Sequence, residues 1–326
     1  HQHHNSPFRI WRLNSCVVQR PIVTRNSSSS SNNDTTYYDS QSGQHVAIHD
    51  ESKITVYLRG DYRTTSPSSS ALTAAKELGM AGSIITLPQQ TTRQQEDIDD
   101  GNNSSAAKFI ESLSSADDDS NKIFLHLQPT QYYDLVAKHT ATISIIKPNI
   151  NLCFEYNNDG DYISSNIQSA MNKFDNGIIQ TQTSIGIFNP TYLLDEDPIT
   201  VAAQIASIID TTSEQCGIGS ISNILVAPIA GDEEEAYQFM RYDDELVQLC
   251  EELSYLDVPG STIKSRLVVS ALSSDQLEEC LQMGITKYVI DYNNNNSDDG
   301  SDSVESRLNM LRDAVEENGK ELVLNV

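Results

Sequence analysis

The sequence predicts a single (β/α)8 barrel, an α/β fold, and three observations lead to that prediction. From residue 53 onward, eight short runs rich in β-forming apolar residues alternate with segments whose apolar residues recur at helical spacing. Strict alternation indicates parallel strands joined by helices, and eight such units are the number that closes a TIM barrel. The order helix, glycine, apolar strand recurs in LGMAGSIIT and MGITKYVID, as repeated half-units would give.

Each predicted strand is short, and each is followed by a predicted amphipathic helix. The strands are KITVYL (53–58), SIIT (83–86), KIFLHL (122–127), INLCF (150–154), QTSIGIF (182–188), NILVAP (223–228), RLVVSA (266–271) and KYVID (287–291). The helices are 69–80, 105–115, 130–139, 164–174, 199–210, 233–253, 273–284 and 304–319. Gly79 and Gly284 stand where glycines commonly end helices.

Residues 1–47 are predicted to precede the barrel, which takes up residues 48–326. The first 33 residues contain four arginines and no acid, a composition typical of an organellar transit peptide, and a disordered tail is the alternative. We therefore expect a plastid or mitochondrial location. Four polar, low-complexity segments, at 27–34, 96–105, 114–121 and 293–303, are predicted to be solvated loops.

Composition limits the classes of partner. The formal net charge is −25, and beyond residue 33 the chain has 17 basic against 46 acidic residues. Such a charge repels nucleic acid and anionic membranes, and no apolar run approaches the length of a membrane span. The five cysteines show neither CxxC nor Cys/His spacing, so no metal, disulfide framework or cofactor is predicted. The remaining classes of partner are a protein and a small molecule. The sequence does not indicate the oligomeric state.

The last third of the chain resembles a known family. PIAG (228–231), an acidic segment, a long helix, SALSS (270–274), a helix and MGITKYVID (283–291) follow one another. This order is similar to that of transaldolases and the small fructose-6-phosphate aldolases, whose segments run roughly SPFVGR, helix, AASIR, helix, AGADIATIP. The earlier strands resemble theirs in the same order. The resemblance covers about residues 53–320 and implies a class I aldolase-type barrel acting on sugar phosphates.

The catalytic lysine of that family has no counterpart here. Transaldolases form a Schiff base on a strand-four lysine, and this chain has Leu152 or Cys153 there, depending on the register. Neither side chain forms an imine. The nearest lysine, Lys147, comes before the strand, where it would lie away from the catalytic face.

The phosphate-binding positions differ from the family pattern as well. Because an aspartate repels a phosphate that an arginine would bind, we expect phosphate binding to be lost together with Schiff-base catalysis. The acids Asp232 to Glu235 also suit the first turn of the helix 233–253. At positions where the resemblance implies an acid, two asparagines, a Glu or Gln, a serine and two arginines, this chain has, in that order, Arg59, Leu87 and Thr181, His126, Ala227, and Asp232 and Ser273. Thr183 and the turn from Pro228 to Gly231 match the family pattern.

Several polar residues are predicted at the barrel mouth, the end of the barrel formed by the carboxyl ends of the strands. They are Asp61, His126, Glu155, Asp232 and Asp291. A histidine with carboxylates suits a divalent cation or an acid/base pair. The alternatives are a core histidine, acids present through composition alone, and a structural thiol at Cys153.

Three hypotheses about function stay open. The first is a transaldolase-like pseudoenzyme with a binding, assembly or regulatory role in an organelle. The second is an enzyme of another class that uses His126 and the mouth carboxylates. The third is a divergent, active transaldolase with a relocated lysine.

Overall fold

A computed structural model of the chain contains a closed barrel of eight parallel strands, so the predicted fold class is confirmed. All eight predicted strands are present. They are β1 (Lys53–Arg59), β2 (Gly82–Thr86), β3 (Lys122–Leu127), β4 (Ile150–Glu155), β5 (Thr183–Ile187), β6 (Ile221–Val226), β7 (Leu267–Val269) and β8 (Lys287–Asp291). Strand β7 is shorter than predicted, and its predicted first residue, Arg266, belongs to the 3₁₀ turn Ile263–Arg266.

The barrel closes through parallel pairing of β8 with β1. Their register runs from Lys287 opposite Thr55 to Asp291 opposite Arg59. At the amino-terminal end of β1, the short strand Glu321–Leu322 near the chain terminus also pairs with Lys53 and Ile54. The first strand of the barrel is therefore held both by the last barrel strand and by the end of the chain.

Helices surround the barrel at the predicted positions that the structure describes. They are Ser69–Glu77, Pro198–Cys216, Asp243–Ser254, Ser274–Gln282 and Val304–Glu317. Residues 163–168 and positions 109, 111 and 113 are also helical. Gly79 and Gly284 have φ angles of 68° and 82° at helix ends, as predicted for glycines that end helices.

The structure describes residues 36–39, 44–47, 50–60, 69–87, 122–127, 149–157, 163–168, 183–189, 196–216, 221–229, 243–258, 261–270, 273–292 and 304–325, with positions 109, 111, 113, 159 and 160. The predicted helix 130–139, the four low-complexity segments and the acidic run at 232–235 lie outside these residues.

The chain divides into two units, residues 1–49 and residues 50–326. The first contains an antiparallel hairpin of Thr36–Asp39 with Gln44–Ala47. No helix among the described residues is long and apolar enough to cross a membrane.

Alternation along the strands separates two apolar clusters. An outer cluster, between the strands and the helices, contains Leu152, and an inner cluster fills the barrel and contains Cys153. Because successive side chains of a strand point to opposite faces, Cys153 points into the barrel and Leu152 points outward. The inner cluster also contains Tyr57, Ile84, Phe124, Phe188, Leu225, Ala227, Val268 and Val289.

Candidate functional site

The mouth of the barrel contains a buried ion pair between Arg59 at the end of β1 and Asp291 at the end of β8. The Nε of Arg59 donates to Oδ1 of Asp291, and its Nη2 donates to Oδ2 at 2.9 Å. The two residues are register partners, so the closure of the barrel brings them together. Two parallel hydrogen bonds of this kind suit the planar guanidinium group.

The guanidinium of Arg59 extends across the mouth to the segment after β6. Its Nη1 donates to the carbonyl of Ala227, and its Nη2 donates to the carbonyl of Pro228 at 3.1 Å. Arg59 is 1% exposed, so its charge is held by protein groups. The mouth is therefore occupied on this side by a side chain of the protein.

A second polar group surrounds His126 on β3. Its Nδ1 lies 3.2 Å from the hydroxyl of Thr86 on β2, and its Nε2 lies 3.4 Å from Oε2 of Glu155 on β4. The imidazole is 2% exposed and packs against the ring of Phe188, with 4.1 Å between the ring centroids. Three neighbouring strands and one aromatic ring thus fix the orientation of the histidine.

Gly186 makes room for that aromatic ring. A Cβ added to Gly186 would lie 2.1 Å from the Phe188 ring, far inside any contact distance. The two residues are both on the inner side of β5 and its extension, because Ile185 and Ile187 belong to the outer cluster. The absence of a side chain at Gly186 therefore allows Phe188 to lie against His126.

The contacts of His126 suit proton transfer. Its Nε2 is buried and makes no hydrogen bond, although it lies within ion-pair distance of the Glu155 carboxylate. Glu155 is 20% exposed, so this pair borders solvent. An imidazole oriented by a hydroxyl on one nitrogen and faced by a carboxylate on the other has the geometry of an acid/base pair.

The predicted site residues are only partly brought together. His126, Glu155, Ala227 and Asp291 lie at the mouth, as the resemblance and the strand ends implied. Thr183 does not: it begins β5, opposite the outward-facing Leu152, and is buried at the outer side of the barrel. Asp61, Thr181, Asp232 and Lys147 lie outside the described residues.

Ser273 has a structural role that the family alignment did not indicate. It caps the helix Ser274–Gln282, and its hydroxyl accepts a hydrogen bond from the amide of Gln276. The Gln276 side chain accepts from the Ser273 amide in return, which completes a capping box. The position that holds an arginine in transaldolases therefore stabilises a helix start here.

Cys153 lies in the middle of the barrel interior. Burial, and secondarily the Glu155 carboxylate, raises the pKa of its thiol well above the ordinary value. A protonated thiol in an apolar interior is a poor nucleophile, so the structural interpretation of Cys153 fits its surroundings. Within the described ranges, no three His, Cys, Asp or Glu side chains are placed to hold a metal ion.

The sequence did not identify Thr86 and Phe188 as neighbours of His126. Thr86 could have been found from strand alternation, because it lies two residues after the inward-facing Ile84. The position of Phe188 depends on Gly186 and has no comparable signal in the sequence.

No known protein-family model matches the chain, and no curated protein matches it in sequence. Among solved structures, it resembles those of several enzymes, at low identity. 4-Hydroxy-tetrahydrodipicolinate synthase from Methylacidiphilum fumariolicum SolV is 13% identical, with 82% of this chain and 76% of that chain covered and a TM-score of 0.42. The sialic acid aldolase of Aliivibrio salmonicida is 12% identical, with 82% of this chain and 78% of that chain covered and a TM-score of 0.40. TrpF of Jonesia denitrificans is also 12% identical, with 82% of this chain and 98% of that chain covered and a TM-score of 0.39. These values describe likeness of fold and assign no activity, so membership of the transaldolase family stays a prediction.

The replacement Asp291→Asn is expected to lower the free energy of unfolding by about 3 kcal/mol or more, because it leaves the buried Arg59 charge without a carboxylate. Arg59→Met should cost less, since Asp291 is 27% exposed and Arg307 lies 3.8 Å from it. Urea unfolding of both variants measures the difference.

The exposed Asp313 provides the matched control, because Asp313→Asn should change stability by less than about 0.5 kcal/mol. Equal losses in the Asp291 and Arg59 variants would contradict the asymmetry, and a loss below about 1 kcal/mol in the Asp291 variant would contradict the importance of the pair.

Proposed function

We propose that this chain is a transaldolase-like barrel protein without Schiff-base catalysis at its mouth, with a binding, assembly or regulatory role. The observation that supports this most is the occupancy of the mouth by Arg59, whose guanidinium joins β1, β8 and the segment after β6. A cation tied to Asp291 and two carbonyls leaves little of its hydrogen-bonding capacity for a substrate.

The strand-four position supports the same proposal. The inward-facing residue there is Cys153, whose thiol cannot form an imine with a ketose. In the part of the mouth that the structure describes, the inward-facing side chains at the carboxyl ends of the strands include no lysine. The described residues at this face therefore supply no amine nucleophile for carbon–carbon cleavage by a class I aldolase mechanism.

Borohydride trapping tests the loss of Schiff-base chemistry. Incubation with fructose 6-phosphate and sodium borohydride is expected to leave the intact mass of the protein unchanged, because the described part of the mouth presents no lysine amine to a ketose. An active transaldolase treated in parallel confirms that the conditions trap an adduct. A covalent hexose adduct on any lysine would overturn the proposal and favour a relocated catalytic lysine.

We also propose an organellar location, which the arginine-rich and acid-free first 33 residues support. Residues 1–47 fused to a fluorescent protein are expected to direct it to plastids or mitochondria. Replacing the four arginines by glutamine should abolish the import. A diffuse cytosolic signal from the unaltered fusion would contradict the proposal.

A second candidate function is acid/base catalysis at His126. The buried Nε2 of His126, 3.4 Å from the Glu155 carboxylate and without a hydrogen bond, is the observation that favours it. In such a pair Nε2 of the histidine would exchange a proton with a ligand bound beside Glu155, while Thr86 holds the ring in place through Nδ1. This candidate requires a small ligand that reaches the Glu155 side of the mouth.

Deuterium exchange tests this second candidate. The protein is expected to accelerate exchange of the carbon-bound protons of dihydroxyacetone in D₂O, observed by NMR. His126→Ala should slow this exchange about 100-fold or more, and Lys53→Met, at an exposed lysine, should not. Exchange no faster than in buffer, or equal exchange in the two variants, would exclude the candidate.

A further inference from the structure

The amino-terminal end of the barrel interior contains a group of cations, Lys122, Arg266 and Lys287, here called the floor cluster. Lys122 and Lys287 are the first residues of β3 and β8, and Arg266 immediately precedes β7. Two residues further along each strand come Phe124, Val268 and Val289 of the inner cluster. By strand alternation, all three cationic side chains belong to the inner face of the barrel.

The contacts of the two lysines are with neutral groups. The Nζ of Lys287 donates to Oδ1 of Asn223 at 3.2 Å and to the carbonyl of Ser265 at 2.7 Å. The Nζ of Lys122 lies 5.0 Å from the centroid of the Phe124 ring. Among the residues that the structure describes, neither lysine has a carboxylate partner.

Two carboxylates that come just before β1, Asp50 and Glu51, have other partners. Asp50 pairs with Lys53 at 3.9 Å, and Glu51 pairs with Lys264 at 2.7 Å. The positive charge of the two lysines in the barrel interior is therefore not balanced by these acids.

Burial disfavours the positively charged form of both lysines, and neighbouring positive charges add to this effect at Lys287. Burial lowers the pKa of Lys122 to about 8. Burial first, and then the charges of Lys122 and Arg266, lower the pKa of Lys287 to about 8. The positive charges of Lys122 and Arg266 thus act on Lys287 in a partly buried site. A bound anion would relieve both the repulsion and the desolvation.

A hydrogen-bonded layer of neutral side chains adjoins the floor cluster and fixes its geometry. Ser184 donates to Oδ1 of Asn151 at 2.8 Å, and Asn151 and Asn223 both donate to the hydroxyl of Ser222, at 2.8 and 2.9 Å. These bonds orient Asn223 with its Oδ1 toward Lys287. The lysine is thereby held in place by a network that spans β4, β5 and β6.

We propose that the floor cluster binds a small, multiply charged oxyanion, of the phosphate or sulfate class, at the amino-terminal end of the barrel. Lys122 and Lys287 are half-buried, so an ion can reach them from solvent at this end. Lysine ammonium groups bind such anions as compact charges. Because the net charge of −25 repels anions at long range, the attraction must come from the floor cluster itself.

Calorimetry and thermal unfolding of the full chain with inorganic phosphate, at pH 7 and constant ionic strength, test the site. Phosphate is expected to bind and to raise the melting temperature, while chloride at equal ionic strength should not. Lys122→Met and Lys287→Met should each weaken phosphate binding about 10-fold or more. Lys53→Met, at an exposed lysine paired with Asp50, should leave the affinity unchanged.

Stability without the anion separates loss of binding from loss of folding. In phosphate-free buffer, Lys122→Met is expected to melt at the same temperature as the unaltered protein or higher, because a repulsive charge has been removed. Failure of the unaltered protein to bind phosphate or sulfate, or binding that persists undiminished in both floor variants, would overturn the proposal. This result is independent of the trapping experiment, which probes the opposite end of the barrel.

Discussion

The pairing of β8 with β1 is the constraint on which the rest of the structure depends. Five residue pairs in parallel register close the barrel, and they determine which side chains point inward on both strands. The same register places Arg59 beside Asp291 at the mouth and Lys287 beside Thr55 at the opposite end. One backbone interaction therefore positions both the buried ion pair and a member of the floor cluster.

The barrel interior has three layers with different electrostatic character. At the mouth Arg59 forms an ion pair with Asp291, and the imidazole of His126 faces the carboxylate of Glu155. The middle is apolar, with Cys153 among aromatic and branched side chains. At the amino-terminal end the charges are positive, in a chain with a net charge of −25. Among the described residues, the lysines Lys122 and Lys287, which have no carboxylate partner there, lie at the end of the barrel opposite the face where enzymes of this fold work.

Much of the fold could be predicted from the sequence, because strands and helices have different periods and the chain alternates between them eight times. The site was less predictable for a reason of geometry. A strand has two faces, and without the pairing of its neighbours the sequence leaves open which of Leu152 and Cys153 points inward. Thr183 matched the family motif, yet alternation places it with the outer face.

The sequence by itself determined the number and order of the barrel strands and the charge of the chain, because these depend on local pattern and residue type. Only the tertiary structure decided that Arg59 meets Asp291, that Thr86 and Phe188 hold His126, and that Lys122 and Lys287 share one end of the barrel. Arg59 and Asp291 are 232 positions apart. Contacts over such separations arise from the closure of the barrel, which no local pattern encodes.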